Sequence, residues 1–340
     1  MKGFRIQTAF GLLLACVLSS CHLDLIGLKL APGWQARSLI VYRRAEHPDM
    51  IVTSRDGRYL FVSCETRGGG INPSLIRMDL KNNHRAILIK GLIRADGLKL
   101  GPDGSLWLGE EFANGLIWRI AEPEHLIPEQ EISRPDMNPD DPAIATLPVA
   151  GRFSHEGIAF SYDGRYAYMA DEWEKGCLYR LDIRLMKLAV LNESGAWVTI
   201  TNPMEARQQA QLLHGRRFNR IEDMETLPDH RILMSETGTG RILALDDRDG
   251  STPRISEYLH NSRLYHPDNL AWDSKRNWLW ITDDDKPSIL WAWDGSRLMR
   301  IASHNKAEIT GVLAAGDNIY INLQNRSNGP ELTMRLYEKP

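Results

Sequence analysis

The chain has 340 residues, 43% of them hydrophobic and 25% charged, which is enough for one large domain or two ordinary ones with a buried core. The formal net charge of -3 shows no basic excess, so the composition excludes nucleic acid as a partner. No apolar run reaches the roughly 18–20 residues that cross a bilayer, so no transmembrane helix is predicted.

The N-terminus has the pattern of a secretory signal, residues 1–21. Two basic residues precede an apolar stretch from Ala9 to Leu18, and small residues follow up to Cys21. The segment "LSSC" is typical of a bacterial lipobox, in which the cysteine is lipidated; the alternative is an ordinary signal with Cys21 incidental. We expect an exported lipoprotein, attached to a bacterial membrane through Cys21 and facing the periplasm or cell surface. Residues 22–46 then lead into a domain spanning 47–340.

Six similar units follow along the chain. Each has an alternating apolar strand, a tight turn and a second alternating strand, as in "GIAFSYDGRYAYMA" with Asp-Gly in the turn. The units recur about every 45 to 65 residues, the length of one four-stranded propeller blade. Their hairpins begin near Pro48, Ala95, His155, Ile221, Pro267 and Ile309. The sequence therefore predicts an all-β fold, a six-bladed β-propeller.

Two intervals between units are longer than the rest. Residues 121–150 are proline-rich and acidic, which predicts a surface loop. Residues 202–214 predict a short helical insertion between the third and fourth blades, with Asn202 as N-cap and Pro203 in the first turn. A helix at this point is placed to cover one face of the propeller.

Acidic residues recur at both ends of the hairpins. Because a hairpin returns to where it starts, the beginning of its first strand and the end of its second lie on the same side of the domain. Five first strands open with Asp49, Asp96, Glu156, Glu222 and Asp268, and the sixth with Thr310. The second strands close with Cys64, Glu110, Asp171, Glu236, Asp283 and Leu323. Since the first strand of a blade lines the central channel, these acids are predicted to ring one mouth of it.

Carboxylates in such a ring repel one another and are costly to bury unless cations offset them. Oxygen ligands of this kind favour Ca²⁺ or another hard ion. The alternative for each acid is a structural role, in which it accepts hydrogen bonds from backbone N–H groups. Arg220 stands two residues before Glu222, where it either binds an oxyanion or only neutralises neighbouring acids.

Several segments together resemble the PhoX-type alkaline phosphatases. They are "GRFSHEGIAF", "AYMADEWEKGCLYRLD", "NPMEARQQAQLLHGRRFNRIEDMETLP", "HPDNLAWDSKRNWLWITDDD" and "EITGVLAAGDNIYINLQN", in the family's order. The resemblance covers about residues 47–326. It implies metal-dependent hydrolysis of phosphate monoesters, with a small phosphorylated substrate and a site that holds Ca²⁺ and Fe³⁺. The sequence does not indicate an oligomeric state.

The resemblance also implies roles for single residues. Glu156 and Glu222 correspond to bridging glutamates, and Cys64 to a metal-binding cysteine. The alternatives for Cys64 are a small buried hydrophobic residue or a disulfide with Cys177. Catalysis is assigned to Arg220, Glu156 and Glu222, and substrate binding to Arg220 and His155. With the acids of the repeat, the expected metal ligands are Asp49, Cys64, Asp96, Glu110, Glu156, Asp171, Glu222, Asp268, Asp283 and Asp284.

The chain departs from this family in three ways. It is much shorter than many members, its signal is of the lipoprotein type, and "CET" replaces the usual Cys-Glu-Glu. Two other functions stay open. One is a calcium-dependent lactonase or esterase of the gluconolactonase and paraoxonase type; the other is a non-catalytic surface propeller in which calcium is structural.

Overall fold

The computed structural model describes residues 27–43, 46–67, 72–132, 142–250, 252–327 and 329–339. The expected signal and Cys21 lie outside these residues, so export and lipidation stay predictions. Part of the proline-rich interval 121–150 is also outside them. In the described part of the chain, no helix is long and apolar enough to cross a membrane.

The described strands form six sheets, which confirms the predicted six-bladed propeller. Each inner strand contacts the inner strands of both neighbouring blades, and the sixth returns to the first. The inner strands are Pro48–Thr53, Ala95–Leu100, His155–Phe160, Ile221–Thr226, Pro267–Asp273 and Glu308–Ala315.

The other strands follow outward from the axis in antiparallel order. The second strands are Tyr59–Cys64, Leu106–Glu110, Tyr166–Asp171, Ile232–Glu236, Trp278–Asp283 and Asn318–Gln324. The third strands are Pro73–Asp79, Ile117–Ile120, Gly176–Asp182, Arg241–Asp246, Ser288–Trp293 and Leu332–Glu338. The fourth strands of the first five blades are His84–Lys90, Ile144–Thr146, Lys187–Leu191, Arg254–His260 and Leu298–His304.

Three blades carry additional short strands. Gln130–Glu131 pairs in parallel with the fourth strand of blade 1, and Trp197–Thr199 extends blade 3. Arg217–Phe218 pairs with the beginning of the third strand of blade 3. Leu28–Leu30 adds a fifth strand to blade 5.

The inner hairpins of the first three blades are closed by Asp-Gly turns, as the sequence indicates. In blade 3, the Asp163 carboxylate accepts hydrogen bonds from the Ser161 hydroxyl at 2.6 Å and from the Arg165 N–H at 3.1 Å. Gly164 has a φ of 69°, a left-handed conformation that glycine adopts without steric strain. The turn therefore fixes the register of the two strands.

The sixth blade is completed by the N-terminal part of the chain. Trp34–Val41 pairs antiparallel with Leu332–Glu338 and forms the outer strand of that sheet. Trp34 packs edge-to-face on Trp280, with ring centroids 5.5 Å apart. The segment that the sequence suggests as a lead-in thus closes the ring of blades.

The hydrophobic core lies between the blades rather than on the axis. Six clusters of buried apolar side chains each fill the space between two neighbouring sheets. One example, between blades 3 and 4, contains Tyr168, Met224 and Met234. Because packing between sheets supplies the core, the channel entrance is available to polar side chains.

The helical insertion has the predicted position and start. A 3₁₀ turn, Pro203–Glu205, leads into the helix Ala206–Leu212, and the Asn202 side chain accepts a hydrogen bond from the Met204 N–H at 3.2 Å. The Arg207 guanidinium donates to the Asp171 carboxylate, with Nε 2.8 Å from Oδ2. This ion pair attaches the helix to the end of the second strand of blade 3.

Candidate functional site

A β-bulge occurs near the beginning of every inner strand. In blade 1, Pro48 pairs with Cys64 and Ile51 with Val62, so Asp49 and Met50 stand opposite a single residue. In each of the first five blades the acid predicted from the repeat is the first residue of the bulge. Bulges re-aim side chains next to active sites, and here they direct the acids toward the axis.

The sixth blade has glycine at this position. Its bulge falls at Gly311, so the equivalent of the other acids is Gly311 rather than Thr310, and Asn322 rather than Leu323 stands opposite the residue before the bulge. A Cβ atom on Gly311 would lie 1.9 Å from the backbone oxygen of Asp49. The neighbouring blade therefore leaves no room for a sixth acid side chain.

The five bulge acids line one cavity of about 100 Å³, which we call the acidic mouth. Four of them are at most 7% exposed and Asp268 is 9% exposed. The complete lining is Asp49, Glu65, Arg94, Asp96, Glu111, Glu156, Arg220, Glu222, Thr237, Asp268, Asp284 and Glu308.

The acids that end the second strands do not enter the acidic mouth. They accept hydrogen bonds from backbone N–H groups that lead into the inner strand of their own blade: Ile93 N to Glu110 at 3.0 Å, Ser154 N to Asp171 at 3.3 Å, Asn219 N to Glu236 at 3.0 Å and His266 N to Asp283 at 3.1 Å. Glu110, Asp171 and Asp283, which the sequence assigned as metal ligands, therefore have the alternative role, that of accepting backbone hydrogen bonds.

The residue one position later faces the acidic mouth instead, since successive side chains of a strand point to opposite sides. These residues are Glu65, Glu111, Glu172, Thr237 and Asp284, of which all but Glu172 line the cavity itself. Their N–H groups donate to the carbonyl two residues before the bulge acid: to His47, Arg94, Ser154, Arg220 and His266, at 2.8, 2.8, 3.0, 2.9 and 3.1 Å respectively. Of the acids in this outer set, the ligands assigned from the sequence include only Asp284. Side chains alternate between the two faces of the strand along "VSCET" and "LGEEF", and this alternation is the sequence signal that identifies Glu65 and Glu111.

Carboxylates of the acidic mouth form three sets suited to a cation. Within each set, one oxygen of every member lies within 4.8 Å of the others. The sets are Asp49 with Glu65 and Asp96, Glu111 with Glu156 and Glu172, and Glu156 with Glu222 and Asp268. Glu156 belongs to two sets, so its carboxylate is placed between two ligand groups.

Burial and the mutual repulsion of carboxylates dominate the electrostatics of the acidic mouth. Burial, together with neighbouring carboxylates, raises the pKa of Asp49, Asp96 and Glu156 well above the usual range, and that of Glu111 to about 10. The same causes raise the pKa of Glu308 to about 7. Asp96 Oδ1 and Glu156 Oε2 are buried without a hydrogen-bond partner among the described residues. Unpaired buried carboxylate oxygens fit a hard cation such as Ca²⁺, whose ligands in proteins are oxygens.

Two arginines lie among the acids. Arg94 Nε donates to Glu65 at 2.7 Å and its guanidinium also pairs with Glu111. Arg220 Nε donates to Glu172 at 2.6 Å, and Arg220 Nη2 lies 2.6 Å from Glu222 Oε1. Each arginine therefore joins an acid of the outer set to another acid of the acidic mouth, and the structure brings Arg220, Glu156 and Glu222 together as the sequence predicts.

These arginines have an unusual backbone conformation. His47, Arg94 and Arg220, each two residues before a bulge acid, have φ angles of 44°, 46° and 58°. A left-handed conformation costs a residue with a side chain about 1–2 kcal/mol. Strain of this kind is found at binding and catalytic sites, where the surrounding structure imposes it.

Cys64 and His155 do not line the acidic mouth. Cys64 is fully buried in the apolar cluster between blades 6 and 1, and burial raises the pKa of its thiol well above the usual range. Both Cys64 and Cys177 are free thiols. His155 Nε2 lies 3.0 Å from the Gly151 oxygen, its ring packs against the Phe153 ring with an interplanar angle of 35°, and burial lowers its pKa to about 3. Both side chains therefore pack in the interior.

The variant Cys64→Ala is expected to bind Ca²⁺ in the same amount as the parent protein. Its thiol is surrounded by apolar side chains, so its removal lowers the free energy of unfolding by about 1 kcal/mol and leaves the carboxylates in place. Plasma mass spectrometry and urea unfolding measure the two quantities, and Cys177→Ala, also at a buried thiol, is the matched control. A loss of metal in Cys64→Ala alone would show that the thiol is a ligand.

Comparisons with known proteins agree on the fold. No protein-family model matches the sequence, and no curated protein matches it. A structural-genomics target assigned to the gluconolactonases has 12% identity and a TM-score of 0.61, over 94% of this chain and 95% of that one. The luciferin-regenerating enzyme has 10% identity and a TM-score of 0.61, over 90% and 95%. A gluconolactonase from Xanthomonas campestris has 14% identity and a TM-score of 0.58, over 91% of both chains.

These findings correct the family expectation. The similar structures include gluconolactonases and virginiamycin B lyases rather than PhoX-type phosphatases, so the assignment to that family and the phosphomonoesterase activity drawn from it are wrong. The position of Cys64 agrees with the correction, because the thiolate ligand that the resemblance implies lies in the core. Identities of 10–14% show a shared fold. The chain is thus a six-bladed propeller with a carboxylate-rich site at one end of its channel.

Proposed function

We propose that this protein is a calcium-dependent hydrolase of lactones or related esters. The observation that carries the proposal is the acidic mouth, where Glu156 is shared between two sets of carboxylates with buried, unpaired oxygens. Gluconolactonases among the similar folds support lactones as the class of substrate. Calcium would be held by the three carboxylate sets, and when bound it polarises a substrate carbonyl as a Lewis acid.

The residues of the chain supply the remaining requirements of hydrolysis. A carboxylate of the acidic mouth that is not used as a ligand accepts the proton of the attacking water. Arg220 carries a fixed positive charge beside Glu222, and its guanidinium is about half exposed. It is therefore placed to donate to the oxyanion that develops on the substrate, an interaction that contributes strongly to rate.

The test of this function is the hydrolysis of δ-gluconolactone by calcium-loaded protein. Glu222→Gln is expected to lower kcat/KM by at least about 100-fold, because it removes a ligand and the partner of Arg220 together. Asp317→Asn, at an exposed acid in the blade 6 hairpin turn, is the control and retains full activity. Turnover that is unaffected by a chelator, or no turnover of lactones and simple esters by the loaded protein, would refute the proposal.

A further inference from the structure

The acidic mouth is too small to hold a substrate. Its cavity of about 100 Å³ accommodates ions and water, whereas pockets for organic ligands measure roughly 300–1,000 Å³. A second cavity of about 630 Å³ lies beside it and shares Glu65 and Arg94 with its lining. We call this cavity the side chamber; its other lining residues are His47, Thr66, Arg67, Asn72, Ile93 and Asn325. A substrate that reacts at the acidic mouth thus has room for its body in the side chamber.

The side chamber differs from the acidic mouth in charge. Its lining has basic side chains at His47, Arg67 and Arg94, and Glu65 is its acid among the described residues. His47 Nδ1 lies 3.2 Å from Glu331 Oε1, so that basic group already has a partner. Arg67 is exposed, and no acid in the described ranges lies within ion-pair distance of it. The chamber therefore offers a free guanidinium a short way from a cluster of carboxylates.

Arg94 is held rigidly at the boundary between the two cavities. Its backbone N–H donates to the Thr66 oxygen at 2.6 Å, and its carbonyl accepts from the Glu111 N–H at 2.8 Å. The Asn325 side-chain amide donates to Glu308 at 3.0 Å, which joins the opposite wall of the chamber to the acidic mouth. The Arg94 guanidinium is paired with both Glu65 and Glu111, and each of these acids belongs to a set suited to a cation. We expect cations bound there to release the guanidinium for a second anion.

We infer that the side chamber binds a carboxylate of the substrate, through Arg67 with Arg94. The substrate is then an acidic lactone or ester, such as a sugar acid derivative, whose carboxylate lies apart from the bond that is broken. This inference rests on the proposed function for the reaction. The planar guanidinium of arginine binds a carboxylate through two parallel hydrogen bonds, which a neutral hydroxymethyl group cannot make.

The experiment compares two sugars that differ in one group. D-Glucuronate has a carboxylate where D-glucose has a hydroxymethyl group, and calorimetric titration of calcium-loaded protein measures both affinities without turnover. The parent protein is expected to bind glucuronate at least about tenfold more tightly than glucose. Arg67→Ala is expected to lose about tenfold in glucuronate affinity with no change for glucose. Arg184→Ala, at an exposed arginine in the far turn of blade 3, is the matched control and behaves as the parent.

The outcomes separate this inference from the proposed reaction. Equal glucuronate affinity in the parent and Arg67→Ala, no preference over glucose, or no glucuronate binding at all would overturn the side chamber as a carboxylate site. If glucuronate binding depends on Arg67 but no lactone is hydrolysed, the side chamber is a carboxylate site and the proposed hydrolysis is refuted. If lactones are hydrolysed and Arg67→Ala binds glucuronate as the parent does, the proposed hydrolysis is supported and the side chamber is not a carboxylate site.

Discussion

Chelation of calcium is expected to lower the melting temperature of this protein by about 10 °C. A ligand at 1,000 times its dissociation constant stabilises a folded protein by about 4 kcal/mol per site, and 1 kcal/mol corresponds to roughly 2–4 °C in a domain of this size class. The physical reason is the repulsion among buried carboxylates that the cation relieves. Scanning calorimetry with calcium and with a chelator measures the difference, and equal melting temperatures would contradict it.

The metal-free protein is also expected to have a distinctive pH dependence. Burial and neighbouring acids raise the pKa values of these carboxyls above their unfolded values, so their contribution to stability is fully present below about pH 4.5. It is lost as the pH rises, through about 7 at Glu308 and toward about 10 at Glu111. With excess calcium, the melting temperature is expected to rise with pH instead of falling, because the deprotonated carboxylates bind the cation. Melting temperatures from pH 5 to 9 give both slopes.

The second large effect is expected from Glu156→Gln. This amide has nearly the same size as the carboxylate but removes the charge that two of the three ligand sets share. Bound calcium and kcat/KM are expected to fall, the latter by at least about 100-fold. The metal-free variant is expected to melt several degrees above the metal-free parent, because it no longer buries a carboxyl among other acids, the cause of the raised pKa of Glu156. Elemental analysis, lactone assays and calorimetry measure the three quantities.

Glu110→Gln is the matched control for this variant. Glu110 is also a fully buried glutamate at the channel end of a blade, but it accepts hydrogen bonds from Ile93 N at 3.0 Å and Trp118 Nε1 at 3.2 Å. Its change is expected to reduce stability and to leave the calcium content unchanged. If Glu156→Gln retained calcium and Glu110→Gln lost it, the metal site would lie with Glu110 on the interior face of the strands and not in the acidic mouth.

The sequence predicts the propeller well because the two strands of each inner hairpin are consecutive in the sequence. Alternating strands with Asp-Gly turns determine which residues begin and end each hairpin, and the bulge acids follow from the repeat. Glu65, Glu111 and Glu172 of the outer set are not among the predicted ligands, because the repeat points to the last residue of each second strand. A shift of one residue moves a side chain to the other face. This is why Glu110 and Asp283 are interior hydrogen-bond acceptors, while Glu111 and Asp284 line the acidic mouth.

Other features depend on contacts that no local pattern contains. The Gly311 position follows from the close approach of the Asp49 backbone, which belongs to another blade. The interior position of Cys64 follows from packing between the first and last blades. The pairing of Trp34–Val41 with Leu332–Glu338 joins two ends of the sequence that share no motif.

That last pairing sets an order for the assembly of the molecule. In the sequence, the outer strand of blade 6 precedes the inner hairpins of all six blades, whereas its partner strand follows them. Contacts between such distant segments form late and slowly, because a long loop must be closed first. Until blade 6 packs on blade 1, the Asp49 carboxylate lacks the hydrogen bond that Gln324 Nε2 donates to it at 3.0 Å. The complete ring of acids is therefore expected to form only when the last blade closes on the first.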